Sequence, residues 1–197
     1  DIERAREILK DYKFDVVVDC VAFNVEHVKA SIELFRDKTS QYIFISSASV
    51  YQKPPSHYLI TESTPLVNPY WQYARDKIEC ENILMEEYAN NNFPVTIVRP
   101  SYTYGKTMIP FIFNSRIRRW TIVDRMKKGK KIIVPGDGTS LWTLTHNTDF
   151  AKGFIGLMGN VQAIGHAFHI TSDEVLTWDQ IANIIGSAVG VKPEIIH

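Results

Sequence analysis

Apolar residues recur along this chain at two different periods, and the alternation between them sets the expected elements. Ile2, Ala5, Ile8 and Leu9 fall at helical spacing and predict a helix to about Tyr12. Asp15-Val16-Val17-Val18-Asp19-Cys20 is a short apolar run of the kind buried in a parallel sheet. A helix is expected over about 25–37 with Val28, Ile32 and Phe35 inward, then a strand at Tyr42-Ile43-Phe44-Ile45-Ser46. A long loop with prolines at 54, 55, 65 and 69 precedes a helix over about 72–90, and Pro94-Val95-Thr96-Ile97-Val98 gives a third strand. Helix and strand in strict alternation is the signature of an α/β, doubly wound parallel sheet.

Beyond Gly105 the regularity loosens. A helix is expected over about 110–128, a short strand at Lys131-Ile132-Ile133-Val134, and a turn at Pro135-Gly136-Asp137-Gly138. Another helix follows over about 148–158, then a strand at Ala167-Phe168-His169-Ile170-Thr171. Thr177-x-x-Gln180 reads as a capping box opening a helix to about Val189, stopped by Gly190, with a further strand from Pro193 to His197. The expected organisation is a sheet domain over 1–105 and a mixed region over 106–197, the latter carrying a small α/β lobe and a returning strand and helix.

Ligands of such sheets sit at the carboxyl ends of the strands. Three strand ends gather there: Ser46 and Ser47, Arg99-Pro100-Ser101-Tyr102, and the Ala22-Phe23-Asn24 turn. Tyr73-Ala-Arg-Asp-Lys77 opens the helix that follows the Ser47 strand end, and residues four apart share a helix face. An ammonium beside a phenol favours its ionised form, which a tyrosine with an ordinary pKa near ~10 needs for proton transfer at neutral pH. The spacing alone is weak: 9 tyrosines among 197 residues give about 0.6 chance matches, and Tyr102 to Lys106 is a second one. That second match contains Gly105 and follows Arg99-Pro100, so it reads as a loop.

Composition changes the picture little. Hydrophobic residues make up 45%, and 22 basic side chains balance 22 acidic ones, which gives no general attraction to nucleic acid or membrane. Lys127, Lys128, Lys130 and Lys131 read as a basic helix end followed by a turn. The two cysteines, Cys20 in a strand and Cys80 in a helix, form no disulfide framework and suit a reducing, cytoplasmic location. No run approaches the ~20 apolar residues of a membrane span. His166-x-x-His169 flanks a strand with its members on opposite faces, so no metal site is expected.

The order of motifs resembles the extended and atypical short-chain dehydrogenase/reductases of the NAD-dependent epimerase/dehydratase family. Phe44-Ile45-Ser46-Ser47-Ala48-Ser49-Val50-Tyr51 is similar to the family's strand bearing a catalytic serine or threonine. Tyr73 and Lys77 match its Tyr-x-x-x-Lys, and Val98-Arg99-Pro100-Ser101-Tyr102-Thr103-Tyr104-Gly105 its Val-Arg-Pro-x-Asn-Val-Tyr-Gly. The resemblance implies a Rossmann-like domain and NAD or NADP as cofactor. It implies Tyr73 as acid/base, Ser47 bonding the reacting oxygen, and Lys77 lowering the Tyr73 pKa and holding the nicotinamide ribose. Ala22, Phe23, Ser46, Pro100 and Tyr102 would line the cofactor groove, and Ser49, Trp142 and His146 are candidates for contact with a sugar-like substrate. It also implies a homodimer through the helices over 25–37 and 72–90.

Three departures stand out. No Gly-x-x-Gly-x-x-Gly turn joins a strand to a helix; in the family it lies upstream, so the chain is expected to begin at the helix before the fourth strand and to bind dinucleotide poorly by itself. Tyr102 replaces the family asparagine. Trp142, in Leu141-Trp142-Thr143, stands where nucleotide-sugar epimerases carry a diphosphate-binding arginine. The last two departures also resemble chloroplast stem-loop RNA-binding members of the atypical branch, so a non-catalytic or RNA-binding relative is the alternative. One of Arg116, Arg118, Arg119 and Arg125, on the expected 110–128 helix, is a candidate for the missing anion contact; a solvated basic face is the other reading.

Overall fold

A computed structural model describes residues 2–115 and 117–197. In chain order, α1 (Ile2–Ile8) leads to β1 (Val17–Asp19), α2 (Val25–Phe35) and β2 (Tyr42–Ile45). A 3-10 turn at Ala48–Val50 and the proline-bearing loop precede α3 (Gln72–Asn91), then β3 (Val95–Pro100) and β4 (Tyr102–Tyr104). Next come α4 (Thr121–Lys127), β5 (Ile132–Ile133), β6 (Leu141–Trp142), β7 (Leu144–His146) and α5 (Asn147–Leu157). The chain closes with β8 (Ala167–Ile170), β9 (Leu176–Thr177), α6 (Trp178–Ala188) and β10 (Ile195–Ile196).

These elements form two compact units, Asp1–Ser101 with Lys152–Ile170, and Tyr102–Ala151 with Thr171–His197. The chain leaves the first unit after Ser101 and rejoins it over Lys152–Ile170.

In the first unit β1, β2, β3 and β8 form a parallel sheet in that order, Val18 pairing with Ile43, Ile43 with Thr96, and Ile97 with Ala167. Tyr42, Phe44, Val95 and Ile97 face Val28, Ile32, Cys80 and Leu84 of α2 and α3 in one core. Ile43 and Val98 point the other way by alternation and are also fully buried. Burial on both faces is why these strands read as unbroken apolar runs. Asn24 caps α2 by accepting the His27 N–H at 3.0 Å. Phe35, expected inward, is half-buried against this core, while its neighbour Leu34 is buried. Cys20 is exposed just past β1 rather than inside the strand, and Cys80 is buried.

The second unit packs Phe111, Ile122, Met126, Ile132, Trp178, Ile181 and Ile185 together. Three two-stranded ladders frame them: β5 with β10 and β4 with β7 in parallel, β6 with β9 antiparallel. The helix expected over 110–128 is only Thr121–Lys127. Ahead of it the chain turns, with Phe111 buried but Ile112, Phe113, Ile117 and Trp120 exposed. Arg118 and Arg119 thus precede the helix and only Arg125 lies on it; Arg116 lies outside the described residues. The capping box at Thr177 and Gln180 is formed in both directions, at 3.1 and 2.8 Å.

Candidate active site

At the carboxyl ends of β1 and β2 two backbone carbonyls converge on one side chain. Lys77 is 2% exposed, and its Nζ donates to Ala22 O and Ile45 O, both at 2.7 Å. Its charge lies 4.5 Å from the centre of the Phe44 ring, 5.2 Å from that of Phe23 and 5.9 Å from that of Tyr73. Burial pushes the Lys77 pKa down, and the Cys80, Asp19 and Glu81 side chains pull the other way. Two of the three ammonium donors are committed to carbonyls.

Tyr73, one helical turn earlier, is half-buried between Trp71 and Phe23, ring centres 4.9 and 6.5 Å away. Burial holds its phenol above the ordinary value, and the Ser47 hydroxyl beside it draws the value back down. The expected influence of Lys77 on this phenol is not what the structure displays: the ammonium is drawn onto the two carbonyls instead. Ser47 Oγ accepts the Ser49 N–H at 3.2 Å, which leaves its own proton to donate. Ser47, Tyr73, Lys77, Ala22 and Phe23 are thus brought together at one sheet edge.

Ser46 is used differently from the expectation. It is buried, and its hydroxyl donates to Glu81 Oε1 rather than facing a groove. Ser49 lies in the 3-10 turn; its carbonyl accepts from Asn68 Nδ2 at 2.8 Å and its buried Oγ has no hydrogen-bond partner. Pro100 ends β3 beside Ile170.

Tyr102, Trp142 and His146 belong to the second unit. Tyr102 O–H reaches the Phe111 carbonyl at 3.4 Å, and burial raises its pKa. Trp142 packs against Trp178, ring centres 5.5 Å apart, with its buried Nε1 lacking a partner. His146 Nδ1 is 2.7 Å from Thr148 Oγ1, and its ring meets Tyr104 edge-on at 5.3 Å. Among the arginines weighed for anion contact, Arg125 is spent on the Lys131 carbonyl at 2.7 and 3.1 Å.

Two groups were missed from the sequence. Glu81 and Arg99 form a buried pair behind Ser46, and Asp19 accepts four hydrogen bonds behind Ala22. Glu81 had a visible signal, since it continues the four-residue spacing of Tyr73 and Lys77 along α3. Arg99, a charge ending the apolar run of β3, was another.

One glycine pattern also escaped notice. Gly153-x-x-Gly156-x-x-Gly159 has the phosphate-turn spacing, but the first two lie within α5 and Gly159 follows its end. A Cβ at Gly153 would sit 3.1 Å from Ile170 Cγ2, and Gly159, with φ +73°, donates to Gln41 Oε1 at 2.7 Å. Gly153 thus serves helix packing and Gly159 the helix exit, while Gly156 faces open space; phosphate binding needs the opposite, N-terminal end.

Beside Lys77 the strand ends present exposed apolar side chains. The ring of Phe23 and the side chain of Val21 are exposed there, 50% and 72%, beside a buried cation with a donor to spare. Among the described residues no glycine turn joins a strand to a helix in the way a pyrophosphate site requires.

Comparison with known proteins accords with this geometry. The NAD dependent epimerase/dehydratase family profile matches residues 24–171. A chloroplast stem-loop binding protein of 41 kDa from Arabidopsis thaliana is 32% identical over the whole chain, which spans 49% of that relative. The chain spans about half or less of the curated relatives it matches. A UDP-glucose 4-epimerase from Thermotoga maritima superposes with a TM-score of 0.82 at 17% identity, covering all of this chain and 68% of the enzyme. A dTDP-glucose 4,6-dehydratase from Bacillus anthracis, solved with NAD, gives 0.80 at 22% identity, with 100% and 64% covered. At these identities the structural likeness establishes the fold.

Proposed function

Because this chain belongs to the NAD dependent epimerase/dehydratase family, we propose that it carries the Ser47, Tyr73 and Lys77 centre of an NAD(P)-dependent oxidoreductase acting on a sugar-like hydroxyl or keto group. The observation that carries the reading is the burial of Lys77 one helical turn from a tyrosine that has the Ser47 hydroxyl beside it. A nicotinamide dinucleotide, when bound, supplies the hydride acceptor and donor. Phe23 and Ala22 would offer it an apolar wall, and the remaining Lys77 donor a ribose contact. Tyr73 moves the proton at the substrate oxygen, and Ser47 Oγ–H donates to the same oxygen. With burial holding its pKa up, the phenol described here is protonated and poised as the acid. The test is Tyr73→Phe in the full-length protein. Loss of turnover with an unchanged melting temperature is expected, and retained turnover removes Tyr73 from the role.

The same reading includes a homodimer through α2 and α3. The groove between these helices is lined by charged Lys29, Glu33, Arg36, Glu86 and Glu87 and by apolar Ile32 and Ile83, with Arg36 bridging Glu87 at 2.7 Å, so its pairing would combine charge with apolar contact. A solution mass that stays monomeric at low and high salt would dispose of it. Two free cysteines support a reducing compartment such as the cytoplasm. No described helix is long and apolar enough to cross a membrane.

A second reading, RNA binding, is favoured by one relative and one feature of the charge. The Arabidopsis protein is a stem-loop binding protein by name. The chain's neutrality conceals a segment over 106–131 with nine lysines and arginines against one acid, Asp124. Its described basic residues are exposed, interleaved with exposed Phe113 and Trp120. Affinity for a stem-loop RNA that falls steeply with salt would support it, and no binding at low salt would end it.

A further inference from the structure

We propose that Asp19 is a positioning residue for Lys77: it locks the turn after β1 so that the Ala22 carbonyl is held where the ammonium binds. The proposal deepens the reading of Lys77 as part of a reacting centre and rests on it for its catalytic consequence. Lys77 is held by two carbonyls of different standing. Ile45 O belongs to the last residue of β2, which is paired with Val98 of β3, so the sheet holds its backbone. Ala22 O lies three residues beyond the end of β1, where no ladder reaches.

The Asp19 carboxylate takes the place of that ladder. Oδ1 accepts the Val21 N–H at 2.9 Å and the Ala22 N–H at 2.8 Å, folding the chain back over the strand end. Oδ2 is anchored by the Ser31 hydroxyl at 2.8 Å and the Tyr42 phenol at 2.6 Å. Tyr42 is fully buried and Ser31 sits on α2, so both anchors belong to rigid elements. Packing reaches one side of the turn, with Ala22 1% exposed in the core, but not its apex, where Val21 is 72% exposed, so the carboxylate is what fixes the two turn N–H groups. The carboxylate itself is 7% exposed with each oxygen doubly engaged, an arrangement that spends its hydrogen-bonding capacity on one geometry. The path from core to reacting centre is then Tyr42 and Ser31, Asp19, the Ala22 peptide, and Lys77.

The direct test is acetylation of Lys77 by an amine-reactive reagent in the full-length protein, read by peptide mass spectrometry, with thiol labelling of Cys80 as a control. Cys80 is fully buried in the same core and reports whether a variant remains folded there. Asp19→Ala is expected to label Lys77 about tenfold faster than the parent, the worth of one charge-assisted hydrogen bond, with Cys80 still protected. Asp19→Asn keeps an amide oxygen for both turn N–H groups and is expected to stay within about twofold of the parent. Parental labelling in Asp19→Ala with Cys80 protected overturns the proposal, as does an Asn variant as exposed as the Ala variant. Should Asp19→Ala open Cys80 too, Asp19→Ser decides: its hydroxyl still accepts one turn N–H, so intermediate labelling supports the proposal and parental labelling overturns it. Should the predicted labelling appear in a protein with no oxidoreductase turnover in any form, the positioning stands and the proposed chemistry falls.

Discussion

Arg99 holds Glu81 through two nitrogens, Nη2 at 2.6 Å from Oε2 and Nε at 3.1 and 3.2 Å from the two carboxylate oxygens, with both side chains almost wholly buried. Ser46 donates to the same carboxylate, and the Glu62 carbonyl accepts from Arg99 Nη1 at 3.1 Å. The pair ties α3 to the ends of β2 and β3, behind the candidate centre. Removing one partner strands a buried charge, which typically costs about 3 to 5 kcal/mol. Glu81→Ala is therefore expected to lower the denaturant midpoint sharply, and Glu81→Leu with Arg99→Met to recover much of the loss. A double variant no more stable than Glu81→Ala would show that the loss is not one of charge stranding.

Ser47 and Tyr73 make a second pair open to direct test. Burial holds the Tyr73 phenol up and Ser47 moderates it, so Ser47→Ala should raise the phenol pKa further. Tyrosinate absorbance followed against pH, with Tyr73→Phe subtracted, isolates this one ionisation. An unmoved or lower titration in Ser47→Ala would mean that the serine does not govern the phenol.

The sheet was legible because its central strands, buried on both faces, carry runs at Tyr42 to Ile45 and Val95 to Val98 that need no alternation to be seen, and half-buried Val16 to Val18 continue the pattern at the edge. Strands β4, β6, β7 and β9 were not, since two or three residues cannot display a period. The helix expected over 110–128 failed for the opposite reason: Ile112, Phe113, Ile117 and Trp120 suggest an inward face yet are exposed, and helix forms only from Thr121. Order and spacing are what single out Ser47, Tyr73 and Lys77 as the set proposed for the site. Asp19 was not legible, because a carboxylate at a strand end reads the same whether solvated or bonded four times.

Thr177 offers a test confined to the second unit. Its Oγ1 accepts the Gln180 N–H at 3.1 Å while Gln180 Oε1 accepts the Thr177 N–H at 2.8 Å, so Thr177→Ala removes the hydroxyl half of the box and leaves the backbone half in place. The helix it opens carries Trp178, Ile181 and Ile185 into the core. Thr177→Ala should cost about 1 kcal/mol, and Thr177→Ser or Thr177→Asp much less. Urea titration followed by tryptophan fluorescence would register the difference, and an Ala variant as stable as the parent would mean the cap is dispensable.

His169 should make stability depend on pH in a window of its own. Its ring lies 5.3 Å from that of Tyr51, its backbone N–H donates to the Glu62 carboxylate at 3.1 Å, and Arg99 stands nearby. Burial is the largest influence and pushes its pKa below the ordinary 6.5; Arg99 acts the same way, and Glu62 opposes them without prevailing. As pH falls through 6.5 the unfolded chain takes up a proton that the folded chain refuses, so stability declines until the lowered folded value is reached. Asp19 acts in a separate range: its carboxyl is held below 3.8, and its contribution is lost only as pH falls below that value. Denaturant midpoints measured from pH 7 downward (about half a unit apart) should show a slope just below 6.5 in the parent that His169→Gln flattens. An identical slope in the two proteins would assign that decline to another group.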